Sequence, residues 1–276
     1  MGLRAANPGP ATACTLLMRG IYVQIDFGKT AKDYGAWRTG FPDALFDRLA
    51  AFGAGAPGQK LLDLGTGTGA LGRGFARRGC DVTGLDPSAD LIEQAKRLDR
   101  EAGVETRYVV GRAEATGLPD AAFDVVGAGQ CWHWFDGPRA AVEARRLLVP
   151  GGRLVIAHCD WIPLPGNVVE ATEELIKAHN PAWRYDGMTG LHPASLAHVG
   201  AAGFAEIESF SFDLAVTYSH EAWRGRIRAS AGVGASLPPG KVARFDAEHA
   251  AMLAGRFPED PFVAPHRCFA VVCRAP

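Results

Sequence analysis

The chain has 276 residues, 47% of them hydrophobic and 21% charged, with a formal net charge of -1. That composition belongs to a globular protein long enough to bury a core without disulfides or a structural metal, and the near-neutral charge offers no broad electrostatic footprint for nucleic acid. The six cysteines are scattered with no C-x-x-C pair, which argues against a metal site and for free thiols in a reducing cytoplasm.

Residues 1–20 hold Arg4, the breaker run Asn7-Pro8-Gly9-Pro10 and an apolar piece, Thr15-Leu16-Leu17-Met18, too short for a signal peptide. They are expected to be a disordered extension, with Met18 an alternative start. From Lys60 to Asp160 short apolar runs alternate with helical patterns. Strands are expected at Leu61–Leu64, Val82–Leu85, Thr106–Val110, Phe123–Ala128 and Arg153–Ala157, and helices at Leu71–Arg78, Asp90–Arg100 and Ala140–Leu148. Gly79 reads as a helix C-cap, Ser88 as an N-cap, and Pro150-Gly151-Gly152 as a tight turn. After Trp161 the expected order is helix (Val168–His179), helix (Pro193–Ala202), strand (Ile207–Tyr218), two helices (His220–Ser230, Val242–Leu253) and a last strand (Val263–Val272). Strands alternating with helices predict an α/β fold with a parallel sheet covered on both faces. No apolar run reaches the about 20 residues that span a bilayer, so no membrane partner is expected.

The first strand runs into Gly65-Thr66-Gly67-Thr68-Gly69 and then a helix. Glycines let the backbone turn sharply and let a ligand come close, and in a doubly wound sheet this is the ligand crevice. Two ligands use such a turn. Gly67-Thr68-Gly69-Ala70-Leu71-Gly72 matches G-x-G-x-x-G, with acidic Asp86 downstream, which would suit a dinucleotide. Asp63, just before the glycines, favours instead a ligand with a cationic amine, since an acid there would repel a pyrophosphate.

Residues 61–69 resemble the first motif of class I S-adenosylmethionine-dependent methyltransferases, an acid followed by G-x-G-x-G. Asp86 resembles the acid that grips the ribose hydroxyls. Gly111-Arg112-Ala113-Glu114 and Phe123-Asp124-Val125-Val126 resemble the adenine-side motif and the fourth strand, and Arg145–Leu154 the helix, turn and strand beyond. The order and spacing hold over residues 61–154. Residues 129–136 resemble the His-Trp-Phe stretch of small-molecule methyltransferases similar to trans-aconitate methyltransferase. The resemblance implies a Rossmann-like sheet of seven strands, mostly parallel with an antiparallel last strand, and helical cap insertions. It implies one domain over residues 21–276, with a lid at about 21–50 and caps at about 162–205 and 220–260. S-adenosylmethionine would be the cofactor and S-adenosylhomocysteine the product.

The cofactor residues so implied are Tyr34, Arg38, Asp63, Gly65, Thr66, Gly67, Asp86, Pro87, Ala113, Glu114 and Gln130. Arg112 stands where many relatives carry an acid; arginine cannot accept from the adenine amine. His133 is the leading base candidate because imidazole titrates near neutrality, and His158 is the second; either could equally be a structural hydrogen-bonding residue. Trp132, Trp134, Asp160, Trp183 and Tyr185 are candidate substrate residues. Arg224, Arg226 and Arg228 would suit an acidic substrate, although a solvated helix face is the plainer reading. The expected activity is methyl transfer to a small molecule, with oxygen (carboxylate or hydroxyl) the first choice of acceptor atom. A nicotinamide oxidoreductase and a non-catalytic cofactor-binding sensor are the alternatives.

Overall fold

The computed structural model describes residues 14–18, 21–25, 40–184 and 187–276, the first two segments as backbone only. Strands β1 (Cys14–Met18) and β2 (Ile21–Ile25) pair antiparallel as a separate two-stranded sheet. Within the extension expected over residues 1–20, Cys14–Met18 is a strand, and the other residues lie outside the described ones. Thr15-Leu16-Leu17 and Ile21-Tyr22-Val23 are aliphatic, β-branched and aromatic runs, which favour strands.

The remaining elements follow in the order α1 (Asp43–Ala51), β3 (Lys60–Leu64), α2 (Ala70–Ala76), β4 (Asp81–Asp86), α3 (Ala89–Ala102), β5 (Arg107–Val110), β6 (Phe123–Gly129), α4 (Gly137–Leu147), β7 (Leu148–Trp161), α5 (Val168–His179), α6 (Ala194–Ala201), β8 (Ala205–Tyr218), α7 (His220–Arg228), α8 (Pro239–Arg256) and β9 (Phe262–Arg274). The seven-stranded sheet has the order β5-β4-β3-β6-β7-β9-β8. Strands β3 to β7 run parallel, and β9 lies antiparallel between β7 and β8. Ser88 caps α3, its Oγ accepting from Leu91 N at 3.3 Å. At Pro150-Gly151-Gly152 the chain does not break the strand as expected. Instead β7 begins at Leu148, and its register on β6 skips between Phe123 and Val125, a bulge with Gly151 at φ +82°.

The strand order reverses between β3 and β6, so the chain leaves these neighbours toward opposite faces. The carboxyl ends of β3 and β6 therefore flank a crevice. Strand residues alternate between two apolar clusters. One holds Leu62, Leu64, Val126, Leu154 and Ile156 under α4 and α6, and the other holds Leu61, Val82, Val125 and Val155 under α1 and α2. A third cluster, built on Trp223, Phe245, Ile176 and Trp183, joins α5, α7 and α8 to the Tyr218 end of β8 and the Phe262 end of β9, and is called the cap. No helix among the described residues is long and apolar enough to cross a membrane.

Candidate active site

The turn after β3 has three glycines with positive φ: Gly65 (+60°), Gly67 (+56°) and Gly69 (+80°). Two of them matter differently. A Cβ on Gly65 would meet the Phe135 ring at 2.8 Å, so packing demands glycine there. A Cβ on Gly67 would meet nothing within 4 Å, so its backbone faces open space that a ligand can fill. The turn is fixed from both sides. Thr66 N donates to Leu85 O at 3.0 Å, and Gly67 N donates to Asp86 Oδ2 at 2.9 Å. Ser88 N donates to the other oxygen of Asp86 at 2.8 Å. Each of these oxygens keeps a second lone pair, and burial raises the Asp86 carboxyl above its ordinary pKa.

Asp63 is 1% exposed. Its Oδ2 accepts from Thr66 Oγ1 at 2.7 Å and from Gly72 N at 3.0 Å, so this acid organises the turn and the first turn of α2. Oδ1 is buried without a partner. Burial pushes the carboxyl up to about 7, against the Thr66 and Gly72 bonds. Of the residues expected to lie near adenine, Pro87 is exposed and Ala113 is buried in the core. The Glu114 carboxylate holds the loop after Trp134: Oε1 accepts from Asp136 N at 3.0 Å, and Oε2 lies 3.5 Å from Arg112 Nε. An open glycine cradle, the Asp86 carboxylate beside it and a buried Asp63 oxygen without a partner fit an adenosyl ligand with a cationic amine.

At the ends of β6 and β7 a second constellation forms. Gln130 has φ +58°, an unfavourable backbone for a side-chain-bearing residue, and its N donates to Ala157 O at 2.8 Å. Its amide nitrogen donates to Cys159 O at 2.6 Å and to Asp160 Oδ1 at 3.2 Å. That orients Oε1 toward His158 Nδ1, 3.1 Å away, and assigns the proton to that ring nitrogen. His158 stacks on His192 with ring centroids 3.6 Å apart and planes at 13°. His192 Nε2 lies 2.7 Å from Asp160 Oδ2. The His133 ring is 5.5 Å from His158 and 6.2 Å from His192. Burial pushes Asp160 upward, but the His192 bond and the charges of His158, His192 and His133 outweigh it and hold the carboxyl well below its usual range.

Residues 62–156 match the methyltransferase domain family. Over those residues the chain carries a methyltransferase domain. An uncharacterized methyltransferase of Mycobacterium bovis is 36% identical over 132 residues, 48% of this chain and 51% of that protein. The malonyl-[acyl-carrier protein] O-methyltransferase of Serratia marcescens is 36% identical over 112 residues, 40% of this chain and 42% of that one. The chain spans about half the length of the curated relatives it matches. A solved structure named as a type II methyltransferase of Anaeromyxobacter dehalogenans has a TM-score of 0.60 and 27% identity, covering 86% of this chain and 98% of its own.

In this methyltransferase domain the residues expected from sequence divide into groups. Asp63, Gly65, Thr66, Gly67 and Asp86 come together at the turn, and Gln130, His133, His158 and Asp160 at the neighbouring strand ends. Trp132 is corrected. It is 3% exposed inside the cluster beneath α4, with Nε1 3.2 Å from His198 Nδ1, so it is core and not a substrate wall. Trp183 is corrected likewise: it is buried in the cap cluster. Trp134 stays half-buried against His133, at 4.5 Å between centroids. Tyr34, Arg38 and Tyr185 lie outside the described residues. His192 was not among the residues expected from sequence, because its link to Asp160 joins a loop to a strand end upstream in sequence.

His158, Asp160 and His192 bring one potential ligand atom each within 4.8 Å of the others. Their arrangement is poor for a metal. An imidazole lone pair lies in the ring plane, and two nearly parallel planes 3.6 Å apart do not let both lone pairs converge on one ion. The cluster is better built to hold a proton.

Proposed function

We propose that this protein transfers the methyl group of S-adenosylmethionine to a hydroxyl oxygen of a small molecule. The Asp160–His192 pair at the strand ends carries this reading. The cofactor, when bound, supplies an already activated sulfonium methyl. The turn Gly65–Gly67 would hold its adenosyl part, Asp86 its ribose, and Gln130 would border its methionine end. The chain's own task is then to orient the acceptor and remove its proton.

His192 suits that task. With Nε2–H donated to Asp160, its Nδ1 keeps a lone pair that can accept a hydroxyl proton. Asp160, held ionised, stabilises the imidazolium that results. His158 and His133 are the ring neighbours that position His192. A need for such a base favours a hydroxyl over a carboxylate oxygen, which is already deprotonated. The Serratia relative's name as an O-methyltransferase agrees with an oxygen acceptor.

Calorimetry with S-adenosylmethionine and with NADH tests the cofactor, and binding of NADH alone would overturn the reading. Mass spectrometry of a metabolite extract incubated with protein and cofactor identifies the methylated acceptor. With that acceptor, His192→Ala is expected to lower kcat by about a hundredfold or more while cofactor affinity changes less than threefold. An equal loss in both would make His192 structural.

A further inference from the structure

Three arginines lie two residues apart on α7, and the fold uses them differently. Arg224 and Arg228, one turn apart, both meet Asp246 of α8. Arg224 Nη2 lies 2.5 Å from Oδ2 and Arg228 Nη1 2.8 Å from Oδ1. That pairing ties two cap helices together. Arg226 projects from the opposite side of the helix. It follows Trp223 by three residues and precedes Ile227, which is the spacing of the buried face. It is 7% exposed.

The Arg226 guanidinium sits 4.8 Å from the centre of the Trp161 ring and bonds to Tyr218. Among the described residues no carboxylate pairs with it. Asp160 is near enough for the two charges to interact, but its oxygens are engaged by His192 and Gln130. Burying a cation without an anion is costly, and burial accordingly pulls its pKa below the ordinary arginine value. Trp161 ends β7 one residue beyond Asp160, so the guanidinium and the His192 pair stand at the same strand end.

We propose that Arg226 binds a carboxylate on the acceptor, separate from the hydroxyl that is methylated. The acceptor class is therefore a hydroxy acid. A planar guanidinium presents two parallel N–H donors that match a carboxylate. One guanidinium balances one negative charge, and the other α7 arginines are committed to Asp246, so the site suits a carboxylate better than a phosphate dianion. Trp161 and Tyr218 beside it suit an apolar body. This inference rests on the methyl-transfer reading for the hydroxyl but not for the carboxylate.

The test uses 4-hydroxybenzoate and 3-hydroxybutyrate, each beside its neutral amide, titrated calorimetrically into the full chain with and without S-adenosylhomocysteine. At least one acid is expected to bind about tenfold or more tightly than its amide. Arg226→Gln should erase that preference, and Arg226→Lys should keep part of it, since charge remains but the fork is lost. Equal binding of every acid and its amide, no acid binding, or a preference surviving in Arg226→Gln would overturn the proposal. If Arg226→Gln fails to fold by circular dichroism, the wild-type comparison and Arg226→Lys decide. Failure of S-adenosylhomocysteine to bind would sink the methyl-transfer reading, while the acid preference without it judges Arg226 alone.

Discussion

Asp63 shows how one buried group couples the turn to pH. Its folded pKa stands at about 7 against an ordinary value of 3.8. An acid raised in this way binds its proton more tightly when folded. Its contribution to stability is therefore fully present below about pH 4 and is lost as pH rises through 7. The gap corresponds to on the order of 4 kcal/mol. Asp63→Asn keeps an oxygen to accept from Thr66 or Gly72 and removes the ionisation. In urea unfolding of the ligand-free protein at pH 5 and pH 8, wild type should lose stability toward pH 8 and Asp63→Asn should lose much less. Identical slopes would mean that Asp63 ionises normally. The acid's position before the glycines was legible in the sequence. Its employment by Thr66 Oγ1 and Gly72 N was not, because those bonds depend on how the turn folds back.

At the scale of elements, helix α2 lies close to α1 through a glycine. A Cβ on Gly74 would come within 2.0 Å of the Phe46 ring. Phe46 is itself 2% exposed and meets Phe75 edge-on at 5.1 Å, so it has little room to yield. Gly74→Ala is expected to destabilise by about 1–3 kcal/mol despite the better helix propensity of alanine. Chemical denaturation measures it, and a neutral or stabilising result would show that α1 can slide. Most elements were readable from apolar runs of the right length and from their caps. What escaped was non-local. The bulge at Gly151 depends on pairing with β6, and the Asp160–His192 link on a loop returning to β7. Arg226 carried a local signal after all, since Trp223, Arg226 and Ile227 share one helical face.

For the whole molecule, the sheet order makes residues 262–274 a keystone. Strand β9 pairs with β7 on one side and with β8 on the other, from Arg153–Arg274 to Tyr218–Phe262. A chain ending at Phe257 would leave both partners with unpaired edges and strip the cover from Val155, Ala157 and Phe210. Such a chain is expected to lose cooperative unfolding, as followed by circular dichroism against urea. A sharp transition at the wild-type midpoint would show that β8 and β7 hold without it. The cap has a different relation to the rest. Its cluster around Trp223 and Phe245 meets the sheet at Tyr218, Phe262 and Ala264 and shares no residue with the other two clusters. A volume change there opens no void beneath the glycine turn. An engineer can therefore reshape the packing around Trp223 and Phe245 while keeping the glycine turn as it stands.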